Sequence, residues 1–172
     1  VGDSAEGRAR TRPTYLRGER DLLDGWLEFH RATLLLKCEG ISDELRRSRP
    51  VASSLLSLHG LVRHLAETER NWFSRILEEK PDLPRIWYDP SVDGSPLVPL
   101  DEVDWDEDLA TYRKQCDHSR RVAASRTLDD CGVWREKLVS MRSVYLHMIQ
   151  EYARHNGHAD IIRELLDGVV GL

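Results

Sequence analysis

Apolar residues recur at intervals of three and four along four stretches of the chain. That is the period of a helix burying one face. The first stretch covers residues 14–38, with Leu16, Leu23, Trp26, Leu27, Ala32, Leu34 and Leu35 on its apolar side. Thr14, after Pro13, is its expected N-cap, and Gly40 its stop. The second covers residues 54–79, with Leu58, Leu61, Val62, Leu65, Trp72, Phe73 and Ile76 in register, and Pro81 closes it. The third, residues 106–127, carries Leu109, Tyr112, Cys116, Val122 and Ala123. Acids crowd its start and arginines its end, which suits the helix dipole. The fourth runs from a Ser140 cap to Asp167, just before Gly168.

The intervening segments lack that period. Residues 42–54 read as a connector broken by Pro50. Five of the seven prolines fall between residues 80 and 105, so a long crossover loop is expected there. Trp87, Tyr88 and Trp105 predict that parts of it fold back on the body. "LDDCGVWREKLVSM" reads as a turn-rich link. Four long helices without strand alternation predict an all-α fold, a four-helix bundle whose long connections leave its order open.

Composition narrows the class. A chain of 172 residues, 40% hydrophobic and 32% charged, suits one globular domain. The expected division is a disordered lead at residues 1–13 and a bundle at 14–172. The net charge of −5 and the absence of a basic stripe argue against nucleic acid as a partner. No apolar run approaches the roughly 20 residues that span a bilayer, so no membrane role is expected. "VGDSAEGRARTRPTY" lacks the apolar core of a signal peptide. Cys38, Cys116 and Cys131 form no CxxC pair, which suggests a reducing cytoplasm with the cysteines as bystanders.

The last helix carries candidate chemistry in "EYARHNGHAD". Met141, Val144, Met148, Tyr152, Ala159, Ile162 and Leu166 form its stripe, and His155 falls near the middle. At about 100° per residue, Glu151 lies roughly 60° to one side and His158 slightly further the same way. A carboxylate on a packing face must be paired, hydrogen-bonded or bound to a cation. Glu151 could meet an arginine. Alternatively, Glu151 and His155, four apart, could ligate a metal, as helix bundles do. Among seven histidines, His64 in "LVRHLAETER" is the best further ligand, although it projects to about 120° from its own stripe. His147, one turn before Glu151, could extend the site. His59 lies on the opposite flank, and His30 and His118 have no special spacing.

"SLLSLHGLVRHLAETERNWF" together with "VSMRSVYLHMIQEYARHNGHADIIRELLDG" resembles the DinB-like superfamily, in its mini-circle protein and mycothiol-dependent enzyme branch. The likeness extends to the first helix. Over residues 80–135 it rests mainly on composition and position. It implies a DinB-like four-helix bundle in up-down-down-up order, with a divalent metal in the core. It also implies the ligands: His64 in "HLAE", then Glu151 and His155, with glutamate where many relatives carry histidine. His158 is implied as an outer group that orients a ligand.

Two neutral histidines and a carboxylate leave coordination open, as catalytic zinc sites do, so zinc is the expected ion; the set also accepts nickel, iron or manganese. The resemblance implies a small thiol such as mycothiol or bacillithiol as cosubstrate. The leading expectation is therefore a metal-dependent enzyme of the thiol-transferase type, acting on a small electrophile by transfer or isomerisation. A hydrolase using metal-bound water is one alternative. A non-enzymatic, metal-stabilised binding bundle is another, and a metal-free descendant with Glu151 held by arginine a third. A homodimer is among the expected assemblies.

Overall fold

The computed structural model describes residues 10–89, 91 and 103–171. The fold is all-α, with one small hairpin among the described residues. Its helices are α1 (Glu19–Cys38), α2 (Asp43–Arg47), α3 (Leu58–Glu69), α4 (Trp105–Ala124) and α5 (Met141–Asp167). The hairpin pairs β1 (Cys131–Trp134) with β2 (Lys137–Ser140). α1 lies along α5, α3 packs against α4 and α5, and the hairpin leans on the end of the α3 arm and the start of α5.

Local chemistry explains most boundaries. Ser57 Oγ accepts the Gly60 N–H at 3.1 Å and starts α3. Asp104 takes the Glu107 N–H at 3.0 Å to start α4, whose first turn carries Asp106, Glu107 and Asp108. Ser140 accepts from Ser143 N–H at 3.2 Å, and Gly168, at φ 76°, ends α5. α1 begins later than its periodicity suggests. Gly18 is its extended N-cap, while Thr14 instead accepts from Arg17, and Leu16 is fully exposed at 100%. Residues 1–9 of the expected lead lie outside the described residues. Arg10 and Arg12 stack on Phe29 of α1 at 4.7 and 5.7 Å.

Two features escape the apolar pattern. The α3 arm continues as a π-helix, Arg70–Leu77, in which Glu78 N–H reaches back five residues to the Phe73 carbonyl at 3.2 Å. The hairpin turns through Arg135 and Glu136, at φ 48° and 64°. A two-residue turn with both central residues left-handed normally takes Asn-Gly, so Arg-Glu hides it. Gly132 lets β1 meet the π-helix backbone, since a Cβ there would sit 2.7 Å from the Ile76 carbonyl carbon.

The core is one cluster. Leu58, Leu61, Leu65 and Leu77 from the α3 arm meet Met141, Met148 and Tyr152 of α5, all fully buried. Each such side chain contributes about 1.5–3 kcal/mol. Trp105 is buried and Trp87 packs partly against the core, as the aromatic content of the connection predicts. The rest of the expected crossover, at residue 90 and residues 92–102, lies outside the described residues.

A candidate metal centre beside a cleft

Inside this core runs a polar network that fixes α3 against α5. Arg31 of α1 grips Glu69 with two hydrogen bonds, 2.7 Å to Oε1 and 2.6 Å to Oε2. The Tyr152 hydroxyl donates to Glu69 Oε1 at 2.8 Å and bonds the Tyr112 hydroxyl at 3.0 Å. Arg31 also donates to Glu28 at 2.7 Å, and Arg120 clasps both Glu28 oxygens at 2.8 Å. Glu69 sits on α3 five residues after His64, and Tyr152 directly follows Glu151 on α5. The network therefore sets the register in which those two residues face each other.

His64, Glu151 and His155 come together. Each offers one ligand atom, and the three atoms lie within 4.8 Å of one another. Glu151 Oε1 is 3.0 Å from His64 Nε2 and 3.3 Å from His155 Nε2. The two imidazoles cross at 63° with centroids 4.6 Å apart. Hydrogen bonds from His155 and then His64 hold the Glu151 carboxyl far below the usual carboxylate range, against the opposing effect of burial. No arginine among the described residues pairs with Glu151, so the arginine-held alternative finds no support in the geometry.

His158 lies behind the group. Its Nδ1 is 3.3 Å from His155 Nδ1. Burial, and then the neighbouring His155, lower the His158 pKa, which favours a neutral ring; with a cation on His155 Nε2 in place of the hydrogen bond to Glu151, that ring would accept the Nδ1–H of His155. The contact between the two Nδ1 atoms leaves His155 Nε2 facing Glu151. The other histidines are occupied elsewhere. His59 bonds Asp108 at 2.8 Å, His118 bonds Glu78 at 2.6 Å, and His30 meets Asn156. His147 stacks on Trp72 at 4.2 Å instead of joining the three ligand atoms. Burial pushes the Cys38 and Cys116 thiols up to about 12, so neither supplies a thiolate near neutrality.

A cleft of about 280 Å³ adjoins His64 and Glu151. Glu67, Asn71, Trp72, Arg85, Tyr88 and His147 help to line it. One wall is the strap of residues 83–88, stapled along the α3 arm. Glu67 Oε1 accepts three successive backbone N–H groups, from Ile86 and Trp87 at 2.6 Å and Tyr88 at 3.2 Å. Arg70 donates to the Pro84 carbonyl at 2.8 Å, Arg75 to that of Leu83, and Arg63 stacks on Trp87 at 4.8 Å. Trp87 and Tyr88 predict a connection that folds back onto the body, and Tyr88 does line the cleft. The clamp that holds it carries no sequence signal, because Glu67 shares its helix face with Arg63, His64, Arg70 and Asn71, where one more polar residue is ordinary.

The all-α fold, and the meeting of His64 with Glu151 and His155, agree with the resemblance to the DinB-like superfamily. A family model described as mycothiol S-transferase matches residues 22–168, and the chain belongs to that family. No curated protein and no solved structure matches the chain. The family makes it a mycothiol-related transferase whose cosubstrate is a small thiol. Among the described residues, no helix is long and apolar enough to cross a membrane.

Proposed function

We propose that the chain is a divalent-metal-dependent thiol S-transferase that joins a mycothiol-like thiol to a small electrophile. His64, Glu151 and His155 would hold the cation. The donor set fits one, since two neutral imidazoles and an ionised carboxylate are ligands that zinc, nickel, iron and manganese all accept. Bound there, the cation supplies a Lewis acid that lowers the pKa of a thiol reaching it. The observation that carries the reading is the meeting of three ligand atoms within 4.8 Å beside a cleft of about 280 Å³ that His64 and Glu151 help to line.

The chain's own residues have separate tasks in this reading. His158 holds the ring of His155 in the tautomer that frees Nε2. Trp72 and the strap exclude water from one side of the cleft. In the overall transfer, the thiol proton passes to solvent and an S–C bond forms. The leaving group departs with the bonding electron pair, or, in an isomerisation, the thiol is released again. The reducing interior expected from the cysteine pattern is compatible with a free thiol cosubstrate.

Elemental analysis of the purified protein tests the site. The wild type should carry a divalent metal, and His64→Ala, Glu151→Ala and His155→Ala should each lose it while keeping their helical circular dichroism. Metal-dependent consumption of mycothiol with a panel of electrophiles tests the reaction. Equal metal content in all four proteins would overturn the ligand set. Metal-dependent hydrolysis without thiol consumption would replace transfer with hydrolysis.

A further inference from the structure

Glu67 has a second oxygen that the strap does not use. Oε1 takes all three N–H groups of residues 86–88, whereas Oε2 has no hydrogen-bond partner among the described residues. It is not among the side-chain atoms sealed from solvent without a partner. The residue is only 4% exposed, yet it lines the cleft. The surface Glu67 retains is thus turned toward the cleft. It lies on the helix face of α3 three residues, just under one turn, beyond His64.

An ionised carboxylate oxygen accepts hydrogen bonds and donates none. With one oxygen locked by the backbone, its partner is preorganised, so a donor meeting it gives up little side-chain entropy. Trp72 and Tyr88 offer aromatic faces beside it, and Asn71 and Thr68 offer further polar atoms. Such a wall suits a ligand that presents hydroxyl or amide N–H groups along an extended body. A bare alkyl thiol has nothing to give it.

We propose that Glu67 is a binding residue for the thiol cosubstrate, with Oε1 fixing the strap and Oε2 accepting an O–H or N–H of mycothiol. This rests on the reading of the cleft as the thiol-transfer site. It adds a determinant of which thiol is used, separate from the three residues that hold the cation. Hydrogen bonds to charged groups carry enough energy for about a tenfold or greater change in affinity.

The test uses Glu67→Gln in the metal-loaded protein. The amide keeps a carbonyl oxygen for the strap and turns an N–H₂ donor toward the cleft. Calorimetric titration with mycothiol should show binding weakened about tenfold or more. Binding of ethanethiol, metal content and amide hydrogen exchange at residues 86–88 should stay as in the wild type. Equal affinity for mycothiol would overturn the proposal. So would equal weakening for both thiols, or faster exchange at 86–88, either of which assigns Glu67 a purely structural role. Arg85→Gln and Tyr88→Ala, at exposed positions of the wall, check that the strap can be altered without losing the fold. Mycothiol binding that depends on Glu67, without turnover of any electrophile, would sink the transferase reading and leave this inference standing. No mycothiol binding by the wild type would overturn both.

Discussion

Replacing Glu69 by Gln should destabilise the protein and loosen its candidate metal centre together. Glu69 is completely buried, at 0% exposure, and Arg31 is 4% exposed. The pair makes two hydrogen bonds of 2.7 and 2.6 Å. Glu69→Gln keeps the shape but removes the charge, and it sets an amide N–H₂ against a guanidinium. Breaking a buried pair in this way costs about 3–5 kcal/mol. Glu28 still bonds Arg31 at 2.7 Å, so the lower end, about 3 kcal/mol, is expected. For a chain of this size that shifts Tm by about 6–12 °C. Urea unfolding followed by circular dichroism measures it. Arg31→Met combined with Glu69→Met should fall closer to the wild type than Glu69→Gln alone, because no charge is then stranded. The single variant should also bind metal more weakly, since Tyr152 loses its charged acceptor next to Glu151. A loss below about 1 kcal/mol with unchanged metal affinity would refute this account of how α3 and α5 are registered.

Acid should reveal a second charged contact. Burial opposes ionisation of Glu28, but hydrogen bonds from Arg120 and the Arg31 charge prevail and lower its pKa from 4.5 to about 2. That depression stabilises the fold above pH 4.5 and is lost as pH falls toward 2, with a ceiling of about 3 kcal/mol. The stability gap between wild type and Glu28→Gln, measured by urea unfolding at several pH values, should narrow through this window. A constant gap would count against the assignment. Gly132→Ala should cost about 1–3 kcal/mol by forcing β1 off the π-helix, and a neutral result would show that the hairpin is free to shift. Chelation should lower Tm and re-addition of metal restore it. A metal present at about 100 times its Kd contributes roughly 2.7 kcal/mol.

The helices of the body are legible because burial repeats with the helical period. The stripe of α5 is buried as its spacing predicts, and Ser140 and Gly168 bracket it through local hydrogen bonding and a left-handed turn. Periodicity overextends α1 because Leu16 matches the period by chance, and only its full exposure distinguishes it. The π-helix was hidden because its wider turn keeps Trp72, Phe73 and Ile76 apolar and buried, just as an α-helix would. The hairpin was hidden because its left-handed turn uses Arg135 and Glu136. At the site, "EYARHNGHAD" places Glu151 and His155 within one turn. His64 was harder to place, because its projection alone left it on a flank of its helix.

The sequence by itself determined the helical class, the limits of α5 and a carboxylate with an imidazole on one turn of it. These follow from interactions within about four residues, which a linear pattern records. Only the tertiary structure decided that His64 meets that pair, that Arg31 and Glu69 fix the register of the meeting, and that Glu67 binds a strap some twenty residues away. Those contacts join distant segments. Their geometry depends on how whole helices pack, and no local spacing encodes it.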